Sequence, residues 1–567
     1  MEISELIRGL LSRRGVTSDD DISAFLVPDY EKHTHAPRLL SGMERATARV
    51  LAAMRGNERI AVYADFDCDG IPGAAVLSDF FNKVGYQNFE VYLPHRDREG
   101  YGFHTEAITL LASRGVSLII TVDVGTTAVE AVAFAKERGI DVIVTDHHEP
   151  VREPSASNGP GITGTLPAAV AVLNPKLGEY PFPHLCGAAM AFKLVQAMLA
   201  EGKKEGLANF VAVPEGWEKW LLDLVAIATI ADMVPLVGEN RVLAYWGLQV
   251  LRKSPRPGIV ALCNRLRLRR AELTEDDIGF SIAPRINAAS RMDEPDLALR
   301  LLTTQDAAEA EKLAAHLEEL NASRKGVVGS IVREAKKHAR ERFKSHERVV
   351  VLGNPEWKPA LLGLAANSVM NERGGMVCLW GRDALGRIKG SCRSDGALSV
   401  VDVFASAGES FVEYGGHARS GGFSVLSEHV HTLHDTLALA SANMKSAEVA
   451  VSGAHDALIT LREVSSPLHK DISRLAPFGA ENPKPVFRIA RVRVAQVKRF
   501  GKDKNHLEVM LTCTDSGASA RAFDFFRAPE DFTHTPVSGA SASVLATVER
   551  DSYRGGFALR LVDILPA

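Results

Sequence analysis

Three aspartates at every second position follow an apolar run: Ile60-Ala61-Val62-Tyr63-Ala64-Asp65-Phe66-Asp67-Cys68-Asp69-Gly70. Carboxylates this close repel one another, and neither a core nor a surface calls for them. A divalent cation removes the repulsion and gives the oxygens a purpose. The spacing matches a calcium loop, D-x-[DN]-x-[DN]-G-x5-E, as far as Gly70. The twelfth position is Val76, so the bidentate glutamate is missing, and a strand-like run rather than a helix leads in. Two readings remain for this stretch alone: a metal site at a strand end, or an acidic turn in solvent.

Further carboxylates and imidazoles stand where other apolar runs stop. Asp123 follows Leu118-Ile119-Ile120-Thr121-Val122, Asp146-His147-His148 follows Asp141-Val142-Ile143-Val144-Thr145, and Asp232 ends the apolar run 221–231. Singly, each has a plain structural use, since an Asp at a strand end commonly caps the next helix. Together they converge on one edge of a sheet and favour a metal site. Carboxylates with imidazoles and no thiolate suit manganese or magnesium better than structural zinc. They are too many for one ion with open positions. Two ions sharing a carboxylate are the economical arrangement, the one used to cleave phosphoesters, where one ion activates water and the other takes charge from the phosphoryl oxygens.

The elements that must hold these groups alternate. Strand-like runs at 60–64, 89–93, 118–122, 141–145 and 170–173 are separated by helical patterns, two closing on Gly115 and Gly139. That alternation predicts a parallel sheet with helices on both faces, with ligands beyond the carboxyl ends of its strands. Residues 1–57 read as helical, 151–166 as a polar surface insertion, and 307–342 as one long solvated helix without proline. A second domain opens at 348–352. In it, Ser391-Cys392-Arg393-Ser394 reads as a strand end and Gly415-Gly416-His417-Ala418-Arg419 as a glycine loop. Arg pairs bidentately with phosphate, and glycines let backbone N–H groups approach it. From 465 onward, short alternating strands carry Arg488, Arg491, Arg493, Lys498, Arg499, Lys502 and Lys504, with Phe500 among them. These make a solvated charged face, or a barrel that tracks a single strand by phosphate charge and base stacking.

At 567 residues the length suggests three or four domains, and 46% apolar with 24% charged residues is an ordinary globular balance. A net charge of -4 does not announce a nucleic-acid binder, although carboxylates in a metal site offset a basic groove elsewhere. The six cysteines form no C-x-x-C, so neither a disulfide framework nor structural zinc is indicated. Residues 1–15 lack a signal-peptide core and no run is long enough to span a membrane, so a cytoplasmic protein is expected.

Asp146-His147-His148, with Asp67-x-Asp69-Gly70, Asp123 and Asp232, resembles the DHH phosphoesterase superfamily. The stretches 94–102, 283–291, 414–423 and 477–487 resemble its RecJ branch, the single-strand-specific 5′ exonucleases of bacteria, in family order from about residue 25 to the end. The resemblance implies an α/β fold. A parallel-sheet DHH catalytic domain (58–240) follows the N-terminal helical segment (1–57), and a helical connector with a long helix (241–345) comes next. A second α/β DHH-associated substrate-binding domain (346–460) and a C-terminal OB-type β-barrel (465–567) complete it.

It implies Asp67, Asp69, Asp123, His147 and Asp232 as ligands of two Mn²⁺ or Mg²⁺ ions. His148 is either a ligand or a phosphate partner. Small-substrate relatives carry a histidine at the Tyr63 position, and Asp65 is left as a substitute ligand or a group acting on the attacking water. Arg96, Tyr101, Arg285, Asn287, Arg291, Arg393, Ser394, His417 and Arg419 would grip single-stranded DNA, with Lys498, Arg499 and Phe500 on the barrel. Lys358 stands where the family usually has histidine and is set aside. The implied activity is 5′-to-3′ release of 5′ mononucleotides in DNA repair and recombination, by a monomer, with single-strand-binding protein and a helicase as partners left open. A phosphoesterase for short oligonucleotides or cyclic dinucleotides would need neither the barrel nor the 283–291 segment. A non-catalytic scaffold would have no reason to keep so many repelling carboxylates.

Overall fold

The computed structural model describes residues 3–150, 165–344, 346–442, 444, 454–501, 504–513, 516–551 and 554–567. Most of the polar insertion at 151–166, and Lys502, lie outside the described residues. The chain forms two compact units, one of residues 35–234 and 246–449, the other of 1–34, 235–245 and 450–567.

In the first unit β1 (Arg59–Ala64), β2 (Phe89–Tyr92), β3 (Val116–Val122), β4 (Asp141–Thr145) and β5 (Ala171–Leu173) form a wholly parallel sheet in the order β2-β1-β3-β4-β5. Ile60 to Ala64 and Leu118 to Ile120 are fully buried, because helices cover both faces; such strands read as continuous apolar runs. The strand order reverses between β1 and β3, the switch point at which open α/β sheets bind ligands. The Asp65 loop leaves β1 and Asp123 leaves β3, so the acidic residues sit at that point.

The run ending on Asp232 is not part of the sheet. It is a helix, Leu222–Ala231, buried from Leu222 to Thr229. A helix apolar on every side belongs inside a protein, and periodicity cannot separate so short a buried helix from a strand.

The second sheet, β6 (Val349–Gly353), β7 (Met376–Arg382), β8 (Ile388–Ser394), β9 (Glu413–His417) and β10 (Ser420–Val425), runs in the order β6-β7-β8-β10-β9. Its β6–β7 pair is parallel and the others antiparallel. Gly415 and Gly416 therefore lie in an edge strand rather than in a loop. Gly416 has φ +142, and a Cβ there would stand 2.3 Å from the Ser420 carbonyl oxygen, so the close β9–β10 pairing demands glycine. The long helix, Ala307–Arg342, starts on Asp306, whose carboxylate accepts from the Ala308 and Glu309 N–H groups. It is not simply solvated: Ala310, Leu313, Ala314 and Leu317 near one end and Ile331, Ala335 and Ala339 near the other are buried.

In the second unit β11 (Phe487–Phe500), β12 (His506–Cys513), β13 (Ser519–Asp524), β15 (Phe557–Pro566) and β14 (Ser541–Arg550) close into a barrel through the β11–β14 pairing. Ile7, Leu10, Leu11, Ile22 and Leu26, from two N-terminal helices, share its core with Phe487, Val494, Val509 and Leu559. Among the described residues, no helix is long and apolar enough to cross a membrane.

Candidate metal centre

Each strand that carries an acid holds it by the strand's own ladder. The Asp65 N–H donates to the Val122 carbonyl (3.1 Å), that of Asp123 to Thr145 (2.9 Å), and that of Asp146 to Leu173 (3.0 Å). The three backbones are thus fixed by the sheet. Asp67 accepts from the N–H groups of Asp69 (2.8 Å) and Gly70 (3.3 Å) at the start of the helix Gly70–Lys83. A Cβ on Gly70 would fall 2.2 Å from the Asp65 carbonyl oxygen, so the closing glycine of the motif is a steric requirement. Both oxygens of Asp69 accept from the first N–H groups of the helix Gly187–Lys204, Gly187 at 2.6 Å and Ala188 at 2.7 Å. The Asn287 amide oxygen accepts from the Cys68 N–H at 2.9 Å.

The side chains converge on His147. Its Nε2 lies 3.1 Å from Asp123 Oδ1, 3.6 Å from Asp232 Oδ2 and 3.7 Å from Asp69 Oδ2. Ligand atoms of Asp123, His147 and His148 gather within 4.8 Å of one another, as do those of Asp69, His147 and Asp232, and those of Asp65, Asp67 and Asp123. Asp123 itself has φ +62, a left-handed backbone that costs an L residue about 1–2 kcal/mol and that aspartate tolerates better than most.

Burial, reinforced by the neighbouring carboxylates, pushes Asp65 and Asp123 well above the usual carboxylate range. The same causes hold Asp69 up to about 6 and Asp232 up to about 8. Burial and the charge on His148 pull His147 down to about 3. Its ring is therefore neutral, the form that ligates metals, and its approach to three carboxylates is not an ion pair. His148 differs. Burial opposes its charge, but Asp146 at 2.8 Å outweighs that and raises it to about 9. Asp146 also accepts from the N–H groups of His147 (2.7 Å) and Thr126 (2.8 Å), and it lies well below the usual carboxylate range despite its burial.

A divalent cation fits this set. Asp65 Oδ1 and Asp123 Oδ1 are buried with no hydrogen-bond partner, and buried carboxylate oxygens are rarely left so. Asp232 stands at the C-terminal end of a helix, where the dipole disfavours a negative side chain. All the donors are oxygen or imidazole nitrogen.

The cluster has a consequence for stability. A carboxylate whose folded pKa exceeds its unfolded value stabilises the fold in its protonated form. That contribution is complete below about pH 4 and is lost as pH rises through the folded values. Cation-free protein should therefore lose stability towards pH 8. Saturating Mn²⁺ should raise Tm by several degrees at pH 8 and by much less at pH 5, as read by differential scanning fluorimetry. Equal increments at both pH values would contradict the carboxylate assignment.

The remaining predicted residues are placed as follows. Arg96 lies over the Phe66 ring at 4.8 Å. The Tyr101 hydroxyl is 3.1 Å from His148 Nδ1 and 3.3 Å from the Asp123 carbonyl oxygen. Tyr63 is buried, packed against Tyr92 and Phe103, and donates to the Gly102 carbonyl at 2.8 Å, so it holds the loop that carries Tyr101. Burial, with the charges of Arg96, Arg324 and Arg393, pulls Arg291 down to about 9. Its guanidinium donates only to the Ala360 carbonyl among the described contacts. Arg393 sits against Gly363, where a Cβ would fall 2.6 Å from its Nη2. His417 and Arg419 are exposed on the β9–β10 hairpin.

Three residues are differently engaged. Arg285 is buried in a bidentate ion pair with Glu318 (2.7 and 3.2 Å). Asn287 holds the Asp67–Asp69 loop, and the buried Ser394 hydroxyl donates to the Leu398 carbonyl at 2.6 Å. On the barrel, Arg499 pairs with Glu530 at 3.0 Å, while Phe500 packs tilted against His506 (5.1 Å) and edge-on against Phe525 (6.0 Å). Sequence reasoning singled out Asp146 within its motif without giving it a role, which the structure shows to be holding His148, and it missed Gly187 and Arg324.

Known proteins match along the whole chain. Residues 59–229 match the DHH family, N-terminal domain, and residues 455–562 the RecJ OB domain. The single-stranded-DNA-specific exonuclease RecJ of Haemophilus influenzae is 30% identical over 542 residues, covering 93% of this chain and 90% of that protein. The chain belongs to the RecJ family. The Bacillus subtilis RecJ is 32% identical over 515 residues, 90% of this chain but 62% of that longer protein. The crystal structure of Thermus thermophilus RecJ in complex with Mn²⁺ superposes with a TM-score of 0.80 at 25% identity, covering 100% of this chain and 76% of that one. A second exonuclease RecJ structure, bound to manganese, gives 0.61 at 30% identity, covering 74% of this chain and 99% of that one. The parallel-sheet domain, long helix, second α/β domain and closed barrel are thus those of a RecJ fold.

Proposed function

We propose that this protein is a single-strand-specific DNA exonuclease that hydrolyses phosphodiester bonds from the 5′ end and releases 5′ mononucleotides in DNA repair and recombination, with two divalent cations, Mn²⁺ or Mg²⁺, at the carboxylate cluster. One observation carries the reading: buried carboxylates with unpartnered oxygens lie beside arginines that also crowd one another. Each cluster is unfavourable alone. A phosphate brings anionic oxygens for the arginines and, with its cations, countercharge for the carboxylates.

In this reading Asp67, Asp69, Asp123, His147 and Asp232 would hold the cations, and Asp123 is common to two of the three ligand groups. When bound, the cations supply Lewis acidity for the phosphoryl oxygens and a water acidic enough to attack near neutral pH. Asp65, whose Oδ1 is buried without a hydrogen-bond partner, would accept the proton of the attacking water. His148, kept charged by Asp146, donates to a phosphate oxygen, and Tyr101 orients its ring. Arg96, Arg291 and Arg393, joined by Arg324, bind phosphate, with His417 and Arg419 farther out. Asn287 and Asp146 are positioning residues. The barrel, with Phe500 and Lys498, binds the rest of the strand, a part that enzymes for short oligonucleotides do not need.

Polarity is tested with oligonucleotides blocked at one end by a bulky group. A 5′ block should stop degradation and a 3′ block leave it intact; the opposite pattern would contradict the proposed direction.

A further inference from the structure

Met233 directly follows Asp232 and stands just past the end of the Leu222–Ala231 helix, with φ +60. Helices ordinarily place glycine at such a left-handed position, because a Cβ is disfavoured there. This chain places a large apolar side chain there instead, and it is 75% exposed. Neither the backbone nor the packing of the core accounts for a methionine at this point. Phe280 is a second such side chain, 78% exposed. It lies in a π-helical turn, Ile278–Ile282, that packs against the Leu222–Ala231 helix. That turn leads into the helix Ala283–Arg291, whose Asn287 holds Cys68. Isolated π turns are rare and concentrate at functional sites. About 10 Å of helix separates Phe280 from Asn287.

The carboxylates and arginines account for the phosphate of a nucleotide. What remains is a planar base, and thioether and aromatic faces are surfaces on which bases pack. We propose that Met233 and Phe280 receive nucleobases of the strand being cut, Met233 the base next to the scissile phosphate and Phe280 one farther along. This rests on the nuclease reading above and extends it to how an unpaired strand is recognised. A base inside a duplex is stacked and paired, and cannot present its face to either side chain.

Steady-state kinetics of the full chain with Mn²⁺ test this on three substrates: a short oligothymidylate, the same oligomer abasic at its terminal nucleotide, and the base-free diester bis(p-nitrophenyl) phosphate. Met233→Asn keeps a residue that tolerates the left-handed backbone but removes the apolar face. It should raise KM for the oligothymidylate about tenfold, with kcat changed less than about twofold, in line with the loss of one base contact. The abasic oligomer should already lack that contact, so the variant should cost it far less. The loss on the base-free diester should also be far smaller than on the oligomer. Met233→Leu should recover most of the affinity, and Phe280→Ala should weaken the oligomer more than the diester.

Equal losses on all three substrates would overturn the proposal and make Met233 a support of the carboxylate cluster. No loss on any would overturn it as well. Hydrolysis of the diester by wild-type protein that leaves the oligothymidylate untouched would instead contradict the nuclease reading.

Discussion

Asp123→Asn should lower kcat on single-stranded DNA by about a thousandfold, the scale of losing a preorganised charge at a reaction centre. The fold should survive. Asparagine has the same shape and tolerates the φ of +62 at this position, and the ladder bond to Thr145 comes from the backbone. Asp123 contributes ligand atoms to two of the three groups, and its Oδ1 is buried without a partner. The substitution should also have a sign that loss of a stabilising residue would not give. Because Asp69, Asp67, Asp65 and Asp232 all repel its charge, the cation-free variant should melt above cation-free wild type at pH 8, while its response to Mn²⁺ shrinks. A variant of wild-type activity, or one whose cation-free Tm falls, would contradict the assignment.

Gly187→Ala should cost about a hundredfold in kcat without altering any proposed ligand. A Cβ at 187 would stand 2.5 Å from Asp123 Cβ and 2.9 Å from its Cα, and Asp123 is anchored in the sheet. The N-terminus of the Gly187–Lys204 helix must then retreat, carrying away the two N–H groups that fix Asp69. Displacements of about 1 Å at catalytic groups have effects of this size, and overpacking a tight core costs about 1–3 kcal/mol. Weaker Mn²⁺ binding by calorimetry, alongside the lost activity, would separate this from simple unfolding. Unchanged activity would show that the helix and strand can part without disturbing the cluster.

The cluster was legible where chemistry and local sequence coincide. Asp65, Asp67 and Asp69 announce themselves by their spacing, and Asp146-His147-His148 by adjacency at the end of a strand. Asp232 was legible as a charge closing an apolar run, but its element was not, because a short helix buried all round has no polar face to mark its period. Positioning residues were harder. Gly187 matters only because Asp123 lies against it, and Asn287 only because Cys68 turns its N–H that way. Arg285 and Arg291 look alike in one motif. A carboxylate on the long helix, Glu318, takes the first and leaves the second among other arginines. Such pairings join residues far apart in the chain, which local patterns do not encode.

The most direct test follows 5′-end-labelled single-stranded and duplex DNA incubated with Mn²⁺, with Mg²⁺ or with a chelator. The expected result is labelled mononucleotide from the single strand with either cation, none with chelator, and little from the duplex. Release in the presence of chelator, or equal digestion of duplex and single strand, would contradict a cation-dependent, single-strand-specific exonuclease.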